Sequence, residues 1–129
     1  MCANIFDRFF HLFSTKNKSI GEKGERAACD FLDSHGYRII ERNWRTKIGE
    51  LDIIAEYKDL LVVVEVKTSL KLGLVPPEMR VHYHKQRKIK QLSALYLKCH
   101  RIYPPVRFDI IAVWWEPQLQ IRHIENAFY

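Results

Sequence analysis

The sequence predicts an α/β domain, a mixed central β-sheet flanked by helices, in the order helix, three strands, helix, two strands. Three observations predict it. Residues 20–35 carry small and apolar side chains at helical spacing and stop at Gly36, where a helix C-terminal glycine belongs. Two strand-like runs, Gly49 to Tyr57 and Leu60 to Lys67, flank Lys58-Asp59, a gap that suits a tight hairpin. A long helical stretch then joins strand to strand, and such a crossover normally makes the two strands parallel.

At 129 residues and 15.4 kDa the chain has room for one compact domain. Hydrophobic residues at 47% and charged residues at 28% fit a globular protein and exclude a disordered chain. The longest apolar runs, Leu60 to Val64 and Ile110 to Trp115, fall far short of the roughly 20 residues of a membrane-spanning helix, which excludes an integral membrane protein. Lys and Arg outnumber Asp and Glu by 21 to 15, a net charge of +6 that favours an anionic partner, nucleic acid first and a membrane surface second. Cys2, Cys29 and Cys99 form no Cys-x-x-Cys pair, so neither a disulfide framework nor a zinc knuckle is expected and a cytoplasmic setting is. Asp7, Arg8 and His11 interrupt the apolar N-terminus and argue against a secretory signal.

Residues 1–16 place Ile5, Phe6, Phe9, Phe10 and Phe13 at helical spacing. They read as an amphipathic helical extension docking on its own domain, the alternative being a membrane-surface or partner helix. The single domain then occupies residues 20–128. In its first helix Gly21 and Gly24 lower helix propensity, so close backbone packing is the expected compensation. A short strand follows at Tyr37 to Asn43. After the hairpin, Pro76-Pro77 starts a helix reaching to His100, with Ile89, Leu92, Leu95, Tyr96 and Cys99 as its apolar seam. Val106 to Trp114 and Leu119 to Ile124 form a second hairpin.

The chemistry lies in Gly49-Glu50-Leu51-Asp52 and Val64-Glu65-Val66-Lys67. Strand side chains alternate faces, and a two-residue turn at Lys58-Asp59 sets Asp52 opposite Glu65 and Glu50 opposite Lys67, all four on one face. Like charges directly opposed repel, so two carboxylates here call for a cation. A divalent metal supplies it most directly, and carboxylate oxygens are the ligands Mg²⁺ prefers. A solvated sheet face with ordinary ion pairs is the competing reading.

Asp52, followed thirteen residues later by Glu65-Val66-Lys67, resembles the PD-(D/E)XK nuclease motif of the restriction-endonuclease-like fold. Gly21-x-x-Gly24-Glu25-x-x-Ala28, Gly36-Tyr37, Arg42-Asn43, Gly49-Glu50-x-Asp52, Lys85, Arg107-Phe108-Asp109 and Asn126-Ala127-Phe128 are similar to the YraN-like family of bacterial predicted endonucleases, relatives of archaeal Holliday junction resolvases. By that resemblance Asp52 and Glu65 bind Mg²⁺ or Mn²⁺ with the backbone carbonyl of Val66. Lys67 orients or activates the attacking water, Glu25 completes the site through a metal-bound water, and Glu50 holds a position characteristic of the family. Leu51 replaces the proline that names the motif. Ser69 stands where relatives often carry a basic residue.

Among the basic residues, Arg42, Arg45, Lys47, Lys85, Arg87, Lys88 and Arg107 are candidate phosphate contacts, with Lys90, Lys98 and Arg101 further along. For any one of them a solvated surface is the simpler reading, and Arg107 with Asp109 also reads as an ion pair. His82 and His84 lack a third ligand for a metal, and Trp114-Trp115 reads as packing. The expected activity is metal-dependent hydrolysis of DNA phosphodiester bonds, on branched or repair and recombination intermediates. The alternative is a non-catalytic nucleic-acid-binding module. A homodimer would extend so small a chain over a branched substrate.

Overall fold

The computed structural model describes residues 19–71, 73, 76 and 80–129; the expected N-terminal helix over 1–16 lies outside them. Helix α1 spans Ile20–Ser34, followed by β1 (Arg38–Thr46), β2 (Gly49–Tyr57) and β3 (Leu60–Lys71). Helix α2 (Tyr83–His100) then leads to β4 (Val106–Glu116) and β5 (Gln120–Phe128). The five strands lie side by side in chain order. All neighbours are antiparallel except β3 and β4, which α2 joins and which run parallel, so the sheet is mixed as expected.

Each helix buries one face of this sheet. On β3, Val62 and Val64 pack with Ala28, Cys29 and Leu32 of α1, while Leu61 and Val63 pack with Ile89, Leu92 and Tyr96 of α2. The valine-rich run is thus buried on both sides, which is why it reads as a continuous apolar stretch. Ser19 caps α1 by accepting the N–H of Glu22.

Several boundaries differ from expectation. Helix α2 starts at Tyr83, not at the proline pair: Val81 is buried, and Gln86 Nε2 donates to its carbonyl at 3.0 Å, so the chain is anchored before it turns helical. Strand β3 runs on to Lys71 because parallel pairing continues as far as Lys71 with Glu116. Strand β1 reaches Thr46, and β5 reaches Phe128 by way of a register shift opposite Asp109. Cys29 is a free buried thiol.

Candidate active site

A fork in the sheet sets the geometry. Strands β2 and β3 pair from the hairpin turn only as far as Ile53 with Val64. Beyond that point β2 keeps pairing with β1 down to Gly49, and β3 keeps pairing with β4 up to Lys71. The register in the turn-proximal half agrees with the sequence arithmetic, but the Asp52–Glu65 and Glu50–Lys67 oppositions are not ladder pairs. Instead Asp52 Oδ2 accepts the backbone N–H of Val66 at 2.9 Å across the parting strands. In an extended strand the N–H and C=O of one residue point the same way, so the Val66 carbonyl faces the fork as well.

Asn43 lies beside this divergence. It adopts left-handed backbone, φ 50°, between the pairs Arg42–Ile53 and Trp44–Leu51, hence beside Asp52. Alternation breaks there: Ile53 packs on the α1 side, while Leu51 joins Trp44 in the cluster under α2. Among non-glycine residues, Asn is one of the few that tolerates this conformation readily. In the sequence Asn43 carries no role of its own, and its residue type is the only signal.

Asp52 and Glu65 are 9% and 5% exposed. Burial, with the charge of Glu65 next in weight and that of Glu25 adding, pushes the Asp52 carboxyl up to about 8; the Val66 N–H and Lys85 oppose the shift. Glu65 Oε1 lies 3.6 Å from Lys67 Nζ and 3.4 Å from Lys85 Nζ. Glu25 is carried on α1, whose Gly24 packs so closely on Thr68 of β3 that a β-carbon there would lie 1.9 Å from the threonine Oγ1. Close packing thus explains Gly24, while at Gly21 the nearest atom, Ser19 Oγ, stands at an ordinary 3.7 Å. Burial raises the Glu25 carboxyl, against a hydrogen bond from Asn43; the Glu50 charge raises it further while Arg42 and Arg45 lower it. Glu50 accepts from Arg45 Nε at 2.8 Å, so it sits at the rim, paired across β1 and β2 instead of opposite Lys67.

Among the described residues no three His, Cys, Asp or Glu side chains gather as a metal site. The donor set that does converge is two carboxylates and one backbone carbonyl, which suits Mg²⁺, an ion that retains several waters and borrows ligands from phosphate. Glu65 is ion-paired with Lys67 and Lys85, while Asp52 is held by the Val66 N–H.

The expected phosphate contacts divide. Lys85, Arg87, Lys88, Arg42 and Lys47 are all exposed; Lys85 reaches Glu65, while Arg87 stands 5.9 Å from the Tyr83 ring centroid. Arg107 is instead built into the fold. Its guanidinium donates to both oxygens of fully buried Asp109 at 2.9 and 2.8 Å and to Tyr37 Oη at 2.7 Å. Asp109 also meets His123 Nε2 at 2.7 Å and accepts the N–H of left-handed Asn126 at 3.0 Å, which pins the β4–β5 irregularity. Arg107 and Asp109 thus form the ion pair that the sequence also allowed, with Asn126 bonded to the same carboxylate. His82 and His84 are exposed.

The model described as "Uncharacterised protein family UPF0102" matches residues 24–113. A UPF0102 protein of Thermodesulfovibrio yellowstonii is 44% identical over 110 residues, covering 85% of this chain and 96% of the relative. One from Caldanaerobacter subterraneus is 41% identical over 117 residues, covering 86% and 95%. One from Geobacter metallireducens is 42% identical over 117 residues, covering 89% and 96%. Among solved structures, Pyrococcus furiosus SfsA in complex with Ca²⁺ aligns with a TM-score of 0.30 at 16% identity, over 81% of this chain and 60% of that one. No helix among the described residues is long and apolar enough to cross a membrane.

Proposed function

The chain belongs to the uncharacterised family UPF0102, and we propose that it is a metal-dependent endonuclease that hydrolyses DNA phosphodiester bonds. One observation carries the reading: Asp52 and Glu65 are buried together where β2 and β3 part, with the Val66 backbone between them and two lysines on Glu65. A pair of desolvated carboxylates is costly unless something cationic shares them.

In this reading Asp52, Glu65 and the Val66 carbonyl hold Mg²⁺ or Mn²⁺. When bound, such a cation lowers the pKa of water and acts as a Lewis acid on phosphate. Lys67 places its ammonium beside the reacting phosphate and offsets charge growing on its non-bridging oxygens. Glu25, reaching in from α1 and held by Asn43, orients the attacking water. The water oxygen bonds to phosphorus, the ester P–O bond breaks, and the departing oxygen takes up a proton. The exposed Arg42, Lys47, Arg87 and Lys88 supply sequence-independent backbone affinity, and Arg45 steadies Glu50 at the rim.

The test is cleavage of end-labelled single-stranded, duplex, flap and four-way-junction DNA in Mg²⁺, Mn²⁺ or EDTA. Metal-dependent cutting supports the reading and ranks the substrates. Binding without cutting under every condition supports a non-catalytic module.

A further inference from the structure

We infer that Lys85 is a second catalytic lysine, delivered by α2 to the scissile phosphate beside Lys67; the inference rests on the nuclease reading above. Both ammonium groups approach the same atom, Oε1 of Glu65, at 3.4 Å from Lys85 and 3.6 Å from Lys67. They arrive from different elements, Lys67 from β3 and Lys85 from the first turn of α2. Lys85 also acts on Asp52, opposing the upward shift of its carboxyl, so it faces both buried carboxyls of the site. Were a divalent cation held by the Glu65 carboxylate, Lys67 and Lys85 would both be placed to meet a phosphate oxygen.

The presentation of Lys85 sets it apart from a lysine that merely follows a DNA backbone. Its side chain is 43% exposed, against 24% for Lys67, so it reaches the site while staying open to an incoming strand. The turn that carries it is fixed by buried Val81 and by the Gln86 Nε2 hydrogen bond to the Val81 carbonyl. Arg87, two residues on, lies by the Tyr83 ring and is exposed, as a backbone contact would be. In hydrolysis Lys85 takes no proton. It offsets charge on a non-bridging oxygen while the water oxygen bonds to phosphorus and the ester bond breaks.

The test compares the full chain with Lys85→Met and Arg87→Ala by two readouts, kcat and KM on DNA, and Mn²⁺ affinity by calorimetry without DNA. Lys85→Met is expected to lower kcat about 100-fold with KM little changed. It should also bind Mn²⁺ about tenfold tighter, because a competing positive charge beside Glu65 is gone. Arg87→Ala, which removes a backbone contact, should raise KM. Wild-type kcat with raised KM in Lys85→Met reduces Lys85 to a backbone contact and overturns the inference, as does unchanged or weaker Mn²⁺ affinity. A wild-type chain that binds Mn²⁺ yet cuts no DNA refutes the nuclease reading itself, and this inference with it.

Discussion

The backbone N–H of Val66 donates to Asp52 Oδ2 at 2.9 Å, joining two strands at the point where their own ladder has ended. This bond ties Asp52 to β3 beside Glu65, whose charge adds to the upward shift of the Asp52 carboxyl.

That placement makes Asp52 a liability to the metal-free fold. Its carboxyl is raised to about 8 from an ordinary 3.8. Below the ordinary value both folded and unfolded chains are protonated there, and the group costs nothing. As pH rises from about 4 to about 8 the unfolded chain ionises first, so folding loses stability progressively, and the loss is complete above about 8. Asp52→Asn keeps an oxygen for the Val66 N–H and removes the charge. Thermal melts in EDTA should show the variant gaining stability at pH 8, about 4 °C for each kcal/mol relieved, and little at pH 4. Equal effects at both pH values contradict the placement.

Gly24 is where α1 touches β3 most closely. A β-carbon would stand 1.9 Å from Thr68 Oγ1 and 2.8 Å from its Cγ2, so Gly24→Ala must push the helix, and Glu25 with it, off the sheet. The expected cost is about 1–3 kcal/mol in denaturant melts, with part recovered in the double variant carrying Thr68→Ala. A Gly24→Ala variant as stable as wild type rules out the close approach.

Asn43 should sort substitutions by backbone tolerance. At φ 50° Gly is accommodated, while Val is strained by about 1–2 kcal/mol. Asn43→Gly is therefore expected to remain folded yet lose the hydrogen bond to Glu25, while Asn43→Val loses stability as well. Identical melting of the two variants contradicts a left-handed role.

Arg107 tests structure against binding. Burial alone pushes Asp109 up, but hydrogen bonds from His123, Arg107 and the Asn126 N–H outweigh it and hold the carboxyl below its ordinary range. Its contribution is present above the ordinary carboxylate pKa and is lost as pH falls through the depressed value. Arg107→Ala should cost about 3 kcal/mol at neutral pH by stranding a buried carboxylate, and it should leave DNA affinity unchanged. Reduced affinity at full stability would instead return Arg107 to the phosphate contacts.

The element order, the mixed sheet and the hairpin register were legible because apolar spacing and turn length govern them locally. The valines of β3 and the Lys58-Asp59 turn fix which residues face which helix, at least as far as Val64. Past that point the pattern ceased to inform, because the buried side changes on β2 between Leu51 and Ile53, and strict alternation assumes no such change. The start of α2 escaped for a related reason: burial of Val81 overrides the proline signal. Glu25 was within reach only through family resemblance, since its approach to the strands depends on the contact between Gly24 and Thr68. Lys85 looked like any other lysine in a basic run. Its distance to Glu65 distinguishes it, and that distance depends on how α2 crosses the sheet.

The most direct measurement is a cleavage time course comparing the wild-type chain with Asp52→Asn, purified identically, on end-labelled DNA in Mn²⁺ and in EDTA. The account predicts cutting by the wild type that requires the metal and falls at least about 100-fold in the variant. Equal cutting by both proteins would contradict it, because activity that survives loss of the Asp52 charge does not arise at this fork.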